Sequence, residues 1–70
     1  MRKRFKFVLS DELREKALHS ADTVFNAEKH ESINDLYCIW WEEDEGFGVN
    51  NYLDKDVEKY VKKGDWVIVD

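Results

Sequence analysis

The sequence predicts a small α+β domain in which helices pack on an antiparallel sheet, and three observations support this class. Short runs of alternating apolar residues, such as RKRFKFVL over residues 2–9, are typical of strands. One segment repeats its apolar residues at the three- and four-residue spacing of a helix. The segments follow one another in the order β-α-β-β-α-β, with one long and one short helix. A small sheet covered by its helices, of which the ferredoxin-like fold is one arrangement, suits this order.

Length and composition indicate a single folded domain, taken as residues 1–70. Hydrophobic residues make up 43% of the chain, which is more than a disordered chain of this charge would carry. The one cysteine, Cys38, excludes an intramolecular disulfide and suits a reducing compartment. No apolar run approaches the roughly 18 residues that a membrane span needs, so we expect a soluble, cytoplasmic protein.

The first strand is expected at residues 2–9 and the long helix at about residues 11–26. Ser10 is a favourable N-cap, and acidic residues follow it in the first turn, where they complement the helix dipole. The apolar residues of this segment lie on one helical face: Leu13, Ala17, Leu18, Ala21, Val24 and Phe25. The polar segment over residues 26–35 then predicts a loop.

A β-hairpin is expected in the middle of the chain. The run LYCIWW over residues 36–41 combines aromatic and β-favouring residues, which predicts a strand. EEDEG over residues 42–46 supplies a turn, and FGVNNYL over residues 47–53 supplies the returning strand. The acids of EEDEG are therefore predicted at the tip of the hairpin.

The last third of the chain predicts a short helix followed by a final strand. Asp54 can cap a helix whose apolar residues recur at three- and four-residue spacing, and Gly64 suits the left-handed position after its end. The final strand is DWVIVD over residues 65–70. A competing interpretation makes residues 57–61 a strand that turns at KKGD.

Apolar residues lie on both faces of the predicted strands, which indicates an apolar surface in addition to the core. The two alternating sets of the second strand are Leu36, Cys38 and Trp40 on one face and Tyr37, Ile39 and Trp41 on the other. Because two helices on one side leave the other face of the sheet uncovered, an apolar face would remain exposed. Such patches usually mark interfaces, and a two-fold homodimer is the economical explanation.

Few residues could act as nucleophiles, general bases or metal ligands, and their spacing matches no catalytic, cofactor-binding or metal-binding motif. The candidates for nucleophilic catalysis are Ser10, Ser20, Ser32, Cys38, His19 and His30. The chain has no nucleophile elbow and no phosphate-binding glycine loop. One cysteine with two histidines is too few ligands for a closed zinc site. We therefore expect a protein without enzymatic activity, cofactor or bound metal.

The charge distribution identifies the strongest candidate for a binding surface. Net charge is −5, but residues 1–9 carry four bases, whereas residues 22–54 carry nine acids and one base, a local charge of −8. Such a segment attracts basic partners and repels nucleic acid. The predicted partner-binding residues are Glu28, Glu31, Asp35, Trp41, Glu42, Glu43, Asp44 and Glu45. Tyr37 is a second candidate for an aromatic anchor.

The whole chain resembles the small acidic host-takeover proteins of bacteriophages that act as DNA mimics, among them an inhibitor of the nucleoid-associated protein HU. The resemblance lies in its length, in WWEEDEGFG over residues 40–48, in the acidic loop NAEKHESIND over residues 26–35, and in an apolar surplus suited to dimerisation. It implies that the acids stand in for phosphates and occlude the basic DNA-binding surface of HU. The basic first strand departs from a uniformly acidic mimic.

Two other interpretations stay open at this point. The protein could be a general protein–protein interaction module that uses an exposed apolar sheet face. Alternatively, RKRFK over residues 2–6 interleaves bases with aromatics, as nucleic-acid-binding surfaces do. The overall acidity of the chain argues against nucleic acid as the main partner.

Overall fold

The residues that the computed structural model describes, 3–16, 23–43 and 46–69, form a five-stranded sheet with two helices. The elements are β1 Arg4–Leu9, α1 Asp11–Lys16, β2 Phe25–Lys29, β3 Leu36–Glu43, β4 Gly46–Leu53, α2 Asp54–Lys63 and β5 Trp66–Ile68. The strands lie in the order β4-β3-β2-β1-β5, and every neighbouring pair is antiparallel. The predicted α+β class with an antiparallel sheet is confirmed.

Strand β2 is the main departure from the predicted order. The sequence predicts helix up to residue 26 and a loop from there to residue 35, whereas Phe25–Lys29 pairs with both β1 and β3. Phe25 and Ala27 are buried while Asn26 between them is half-buried, so the segment follows the two-residue period of a strand. The order is corrected to β-α-β-β-β-α-β, which has one strand more than the ferredoxin-like arrangement.

Helix α1 begins after Ser10, as predicted. The Ser10 hydroxyl oxygen accepts a hydrogen bond from the Leu13 N–H at 3.3 Å, and the Ser10 carbonyl oxygen accepts one from the Arg14 N–H at 2.9 Å. The hydroxyl satisfies an N–H group that the first turn of a helix leaves without an internal partner. Residues 17–22 of the predicted helix lie outside the described residues.

The β3–β4 hairpin is confirmed, but its strands are longer than predicted. β3 continues to Glu43, which pairs with Gly46, so Glu42 and Glu43 belong to a strand rather than to the predicted turn. Pairing satisfies backbone groups of these two residues that a wider turn would leave to solvent. Asp44 and Glu45, which connect the strands, lie outside the described residues.

Helix α2 is confirmed over Asp54–Lys63, and the competing strand interpretation of residues 57–61 is wrong. Gly64 ends the helix as predicted, with a left-handed φ of 85°. The predicted cap at the start is wrong, because Asp54 is itself the first helical residue. Its carboxylate instead accepts a hydrogen bond from Lys29 Nζ at 3.1 Å, which ties the helix to β2.

The core lies on the face of the sheet that α1 and α2 cover. Its buried side chains come from four strands and α2: Phe5, Phe7, Phe25, Ala27, Tyr37, Ile39, Val57 and Trp66. The Phe7 ring stacks between two others, with ring centroids 4.3 Å from Trp66 and 5.2 Å from Phe25. Each buried aromatic ring removes a large apolar area from water, which stabilises so small a sheet.

Candidate protein-interaction surface

The sheet has a second face, the outer face, on which neither α1 nor α2 packs. Leu13 of α1 and Val57 of α2 both contact the core, so the helices lie on the opposite side. Side chains alternate along a strand, and the residues between core positions therefore point to the outer face. The apolar residues of this face are called the outer patch. They are Val8, Leu36, Trp40, Phe47, Val49, Leu53 and Val67, with Val24 and Val69 beside β2 and β5.

Much of the outer patch is open to solvent. Phe47 exposes 74% of its surface and Val49 exposes 54%, while Trp40 near the centre is half-buried. The register places Val49 opposite Trp40 on β3 and Val8 opposite Val67 on β5, while β2 between these two pairs carries Asn26 and Glu28 on this face. Soluble monomers rarely expose contiguous apolar patches larger than a few hundred Å², so this face has the character of an interface.

A polar strip borders the outer patch. The Arg4 guanidinium donates a hydrogen bond to the Glu28 carboxylate at 2.8 Å, and the two residues lie directly opposite each other on β1 and β2. This hydrogen bond and the negative charge of Glu28 raise the pKa of Arg4. Cys38, opposite Glu28 on β3, is a half-buried free thiol. The charge of Glu28 is therefore already offset within the chain.

The other predicted partner-binding acids lie at two ends of the sheet. Glu31 and Asp35 are exposed in the loop before β3, whereas Glu42 is exposed near the far end of β3. β3 has eight residues, so its ends lie about 24 Å apart at about 3.4 Å per residue. The predicted partner-binding acids therefore do not form one cluster, because the length of a strand separates those of the loop from Glu42.

The predicted aromatic anchors lie on the covered face. Tyr37 is buried, with 1% of its surface exposed. Trp41 is half-buried beside Phe25, with ring centroids 5.1 Å apart, and its ring lies over Gly48. Trp40 faces outward instead. The sequence did not identify Trp40 as the exposed tryptophan, because both alternating sets of LYCIWW are apolar.

Lys29 joins β2 to α2 at the loop end of the sheet. Its ammonium group, which donates to Asp54, lies 5.8 Å from the centre of the Tyr37 ring. The hydrogen bond to Asp54 is the main reason that the pKa of Lys29 is raised. Burial raises the pKa of Tyr37, and the nearby Asp54 carboxylate adds to that rise.

One of the candidates for catalysis shapes a loop. His30 Nδ1 accepts hydrogen bonds from the N–H groups of Ser32 at 3.2 Å and Ile33 at 3.1 Å, which holds the loop before β3 in a tight turn. His19 and Ser20 lie outside the described residues. In the part of the chain that the structure describes, no group of three or more His, Cys, Asp or Glu is placed to hold a metal ion.

The fold and this surface define a small α+β domain whose sheet is covered by helices on one side. The chain matches no protein-family model, and comparisons with curated proteins and with solved structures found no match. Of the helices in the described ranges, none has the length and apolar character needed to cross a membrane.

Proposed function

We propose that this protein is a protein-interaction domain without a catalytic role, and that the outer face of its sheet is the contact surface. The observation that carries the proposal is the outer patch, which has residues on β1, β3, β4 and β5 and continues at Val24 beside β2, on the side opposite both helices. Contact would remove exposed side chains such as Phe47 and Val49 from water. Burial of apolar surface is the main driving force of most protein association.

The outer face has the size of a protein interface. Five strands about 4.8 Å apart, each about six residues long at about 3.4 Å per residue, give a flat footprint on the order of 500 Å². The accessible surface of a face with side chains exceeds its flat footprint. It therefore approaches the roughly 800 Å² per partner of a standard interface.

The occupant that suits this face is a second copy of the chain. A two-fold axis parallel to β2 would place β1 of one copy against β3 of the other. Lys6 on β1 would then lie close to Trp40 and Glu42 on β3, where a cation can meet an aromatic ring and a carboxylate. Symmetry repeats this contact, so the charges of the face complement each other in the dimer.

Sedimentation equilibrium tests the dimer. We expect the wild-type protein to sediment with twice the mass of the chain at micromolar concentration. Phe47→Asp and Val67→Asp should each raise the dissociation constant at least about tenfold, because each buries an unpaired carboxylate in the contact. Ile33→Asp is the matched control, since Ile33 is exposed to a similar degree as Val67 but lies in the loop before β3.

The two test positions distinguish the outer face from a narrower contact. Phe47 is on β4 and Val67 is on β5, at opposite margins of the sheet. If only Phe47→Asp weakens the dimer, the contact is on β4 rather than on the whole face. A wild-type protein that stays monomeric at millimolar concentration would contradict the proposal. Circular dichroism of each variant checks that the fold is kept.

A second candidate is the acidic inhibitor that the resemblance implies, which would occlude a basic DNA-binding protein such as HU. The exposed carboxylates of Glu31, Asp35 and Glu42 favour it, because none of them forms an ion pair within the described residues. Since these acids lie at two ends of the sheet, a basic groove would meet one group at a time. Glu28 is less suited, because Arg4 already neutralises it.

Displacement of labelled DNA from purified HU tests this candidate. Two variants that remove the same charge are compared: Glu42→Gln with Glu43→Gln and Asp44→Asn at the hairpin, and Asp11→Asn with Glu12→Gln and Glu15→Gln on α1. If the hairpin end binds HU, only the first variant should lose displacement. Displacement should also weaken steeply with salt. Failure of the wild-type protein to displace DNA at low salt would exclude this function.

We also propose a cytoplasmic location. The one cysteine of the chain, Cys38, is a free thiol, as is usual where glutathione keeps cysteines reduced. Fractionation of cells that express the tagged chain tests this, and recovery from the membrane or secreted fraction would contradict it.

A further inference from the structure

Strand β4 forms a long open edge of the sheet. It has eight residues and lies at one end of the strand order, whereas β5 at the opposite edge has three. Within residues 3–16, 23–43 and 46–69, β4 pairs with β3 alone. An open edge of this length presents a row of backbone groups to which another strand can pair.

One hydrogen bond at the end of the β3–β4 ladder identifies which backbone groups of β4 point away from β3. The Asp54 N–H donates to the Asp35 carbonyl oxygen at 2.8 Å, and these two residues continue the β3–β4 register by one step. Antiparallel pairing alternates, so every second residue of β4 bonds β3 and the residues between them point outward. The outward-pointing residues are Phe47, Val49, Asn51 and Leu53.

β4 lacks most of the devices by which proteins protect an edge. Its sequence, GFGVNNYL, contains no proline and no charged residue. The N–H of Asn51 bonds the side-chain oxygen of Asn50 at 2.9 Å. The outward N–H of Val49 has no comparable bond within the described residues, so the first half of the edge is open to pairing.

The charges at the two ends of β4 decide which strand suits the edge. Residues 42–45, all acids, precede β4 in the sequence. At the other end, Asp35, Asp54 and Glu58 line a depression with Lys55, and Asp54 pairs with Lys29, so the acids there exceed the bases by one charge. A second copy that paired antiparallel would bring the start of one β4 against the end of the other, and so acids against acids. A strand with basic residues at both ends would meet opposite charge at each end.

We propose that the β4 edge binds an extended segment of another protein, with basic residues at both ends, as a sixth strand of the sheet. Alternate side chains of that strand would lie beside Phe47 and Val49 on the outer face, so apolar residues suit these positions. The inference does not rest on the proposed dimer, because the edge acts through backbone groups in the plane of the sheet. The dimer contact uses side chains that stand perpendicular to that plane.

Isothermal titration calorimetry with the synthetic peptide Lys-Lys-Val-Thr-Val-Thr-Val-Lys-Lys tests the edge. Val49→Pro should weaken binding at least about tenfold, because proline removes an outward N–H but no bond to β3. Val49→Ala shortens the same side chain but keeps the N–H, so it should weaken binding much less than Val49→Pro does. A peptide with Glu in place of each Lys should bind at least about tenfold more weakly.

Several results would overturn the proposal. These are equal binding by wild type and Val49→Pro, equal binding of the acidic peptide, and failure of the lysine peptide to bind. If circular dichroism shows that Val49→Pro does not fold, peptides N-methylated at the valines or at the threonines replace it. One of the two must then lose binding, because only one set of N–H groups can face β4. Self-association that Val49→Pro abolishes and Val49→Ala keeps would identify a second copy as the occupant instead.

Discussion

Replacement of Gly48 by alanine should destabilise the hairpin that carries much of the outer patch and the whole open edge. A Cβ atom at residue 48 would lie 2.2 Å from Cζ2 and 2.3 Å from Cε2 of the Trp41 ring. Ordinary van der Waals contact begins at 3.4 Å, so the ring would have to move by 1.2 Å, the difference between 3.4 and 2.2. Phe25 packs against the same ring, which limits that movement.

The expected cost follows from two opposing effects. Overpacking of a side chain that cannot move freely costs about 1–3 kcal/mol. Gly48 has no left-handed φ, so alanine fits its backbone and the restricted unfolded chain offsets about 0.4–1 kcal/mol. From the middle of each range, about 2 minus about 0.7, the net loss in the free energy of unfolding should be about 1.3 kcal/mol.

Urea unfolding monitored by far-ultraviolet circular dichroism measures this loss. Gly48→Ala, Trp41→Ala and the double variant complete a double-mutant cycle, which isolates the contact between the two side chains. Without the indole ring, Gly48→Ala should be neutral or should stabilise by about 0.4–1 kcal/mol. An equal cost of Gly48→Ala in both backgrounds would refute the steric reasoning. So would a Gly48→Ala protein as stable as the wild type.

Three further predictions concern the stability of the fold, and urea unfolding checks each of them. Gly64→Ala should cost about 1 kcal/mol, because the φ of 85° that ends α2 is unfavourable for a residue with a Cβ. The neighbouring substitution Lys63→Ala should change the free energy of unfolding by less than about 0.5 kcal/mol, and equal effects would contradict the argument. Val57→Ala should cost about 1–3 kcal/mol, because Val57 of α2 is fully buried in the core and its truncation leaves a cavity. No measurable loss would show that this side chain does not hold α2 on the sheet. Stability should fall above about pH 10, because the raised pKa values of Tyr37 and Lys29 keep protons on the folded protein that the unfolded chain has begun to release. Tyr37→Phe should reduce this alkaline loss, and an unchanged pH profile would count against the role of burial.

Helix α2 and the β3–β4 hairpin were predictable because their signals are local. The apolar spacing of α2 and Gly64 after its end both lie within one short segment, and the structure has both as predicted. The strands LYCIWW and FGVNNYL likewise carry their own propensity, and each strand forms as expected. Both strands are longer than predicted, since the pairing of Glu43 with Gly46 extends β3 to Glu43 and begins β4 at Gly46.

Strand β2 could not be predicted in this way. Phe25 continues the helical spacing that begins at Leu13, so the same residue satisfies the period of a helix and that of a strand. Pairing of Phe25–Lys29 with β1 on one side and β3 on the other supplies the hydrogen bonds that decide between them. The partners on β1 lie 18 or more residues away in the sequence, from Phe7 opposite Phe25 onward, so no local pattern indicates that pairing.

The sequence by itself determined the charge of the chain, its α+β class and an apolar surplus large enough for both faces of a sheet. The tertiary structure decided that Trp40 faces outward and Trp41 inward, because a shift of one residue exchanges the two faces of a strand and both sets are apolar. It also decided that the acids of the loop and those of the hairpin lie at opposite ends of β3. The short separation of these acids in the sequence does not reveal that they are far apart in space. An extended strand places its two ends at opposite ends of the sheet, although the segments that flank it are close in the sequence.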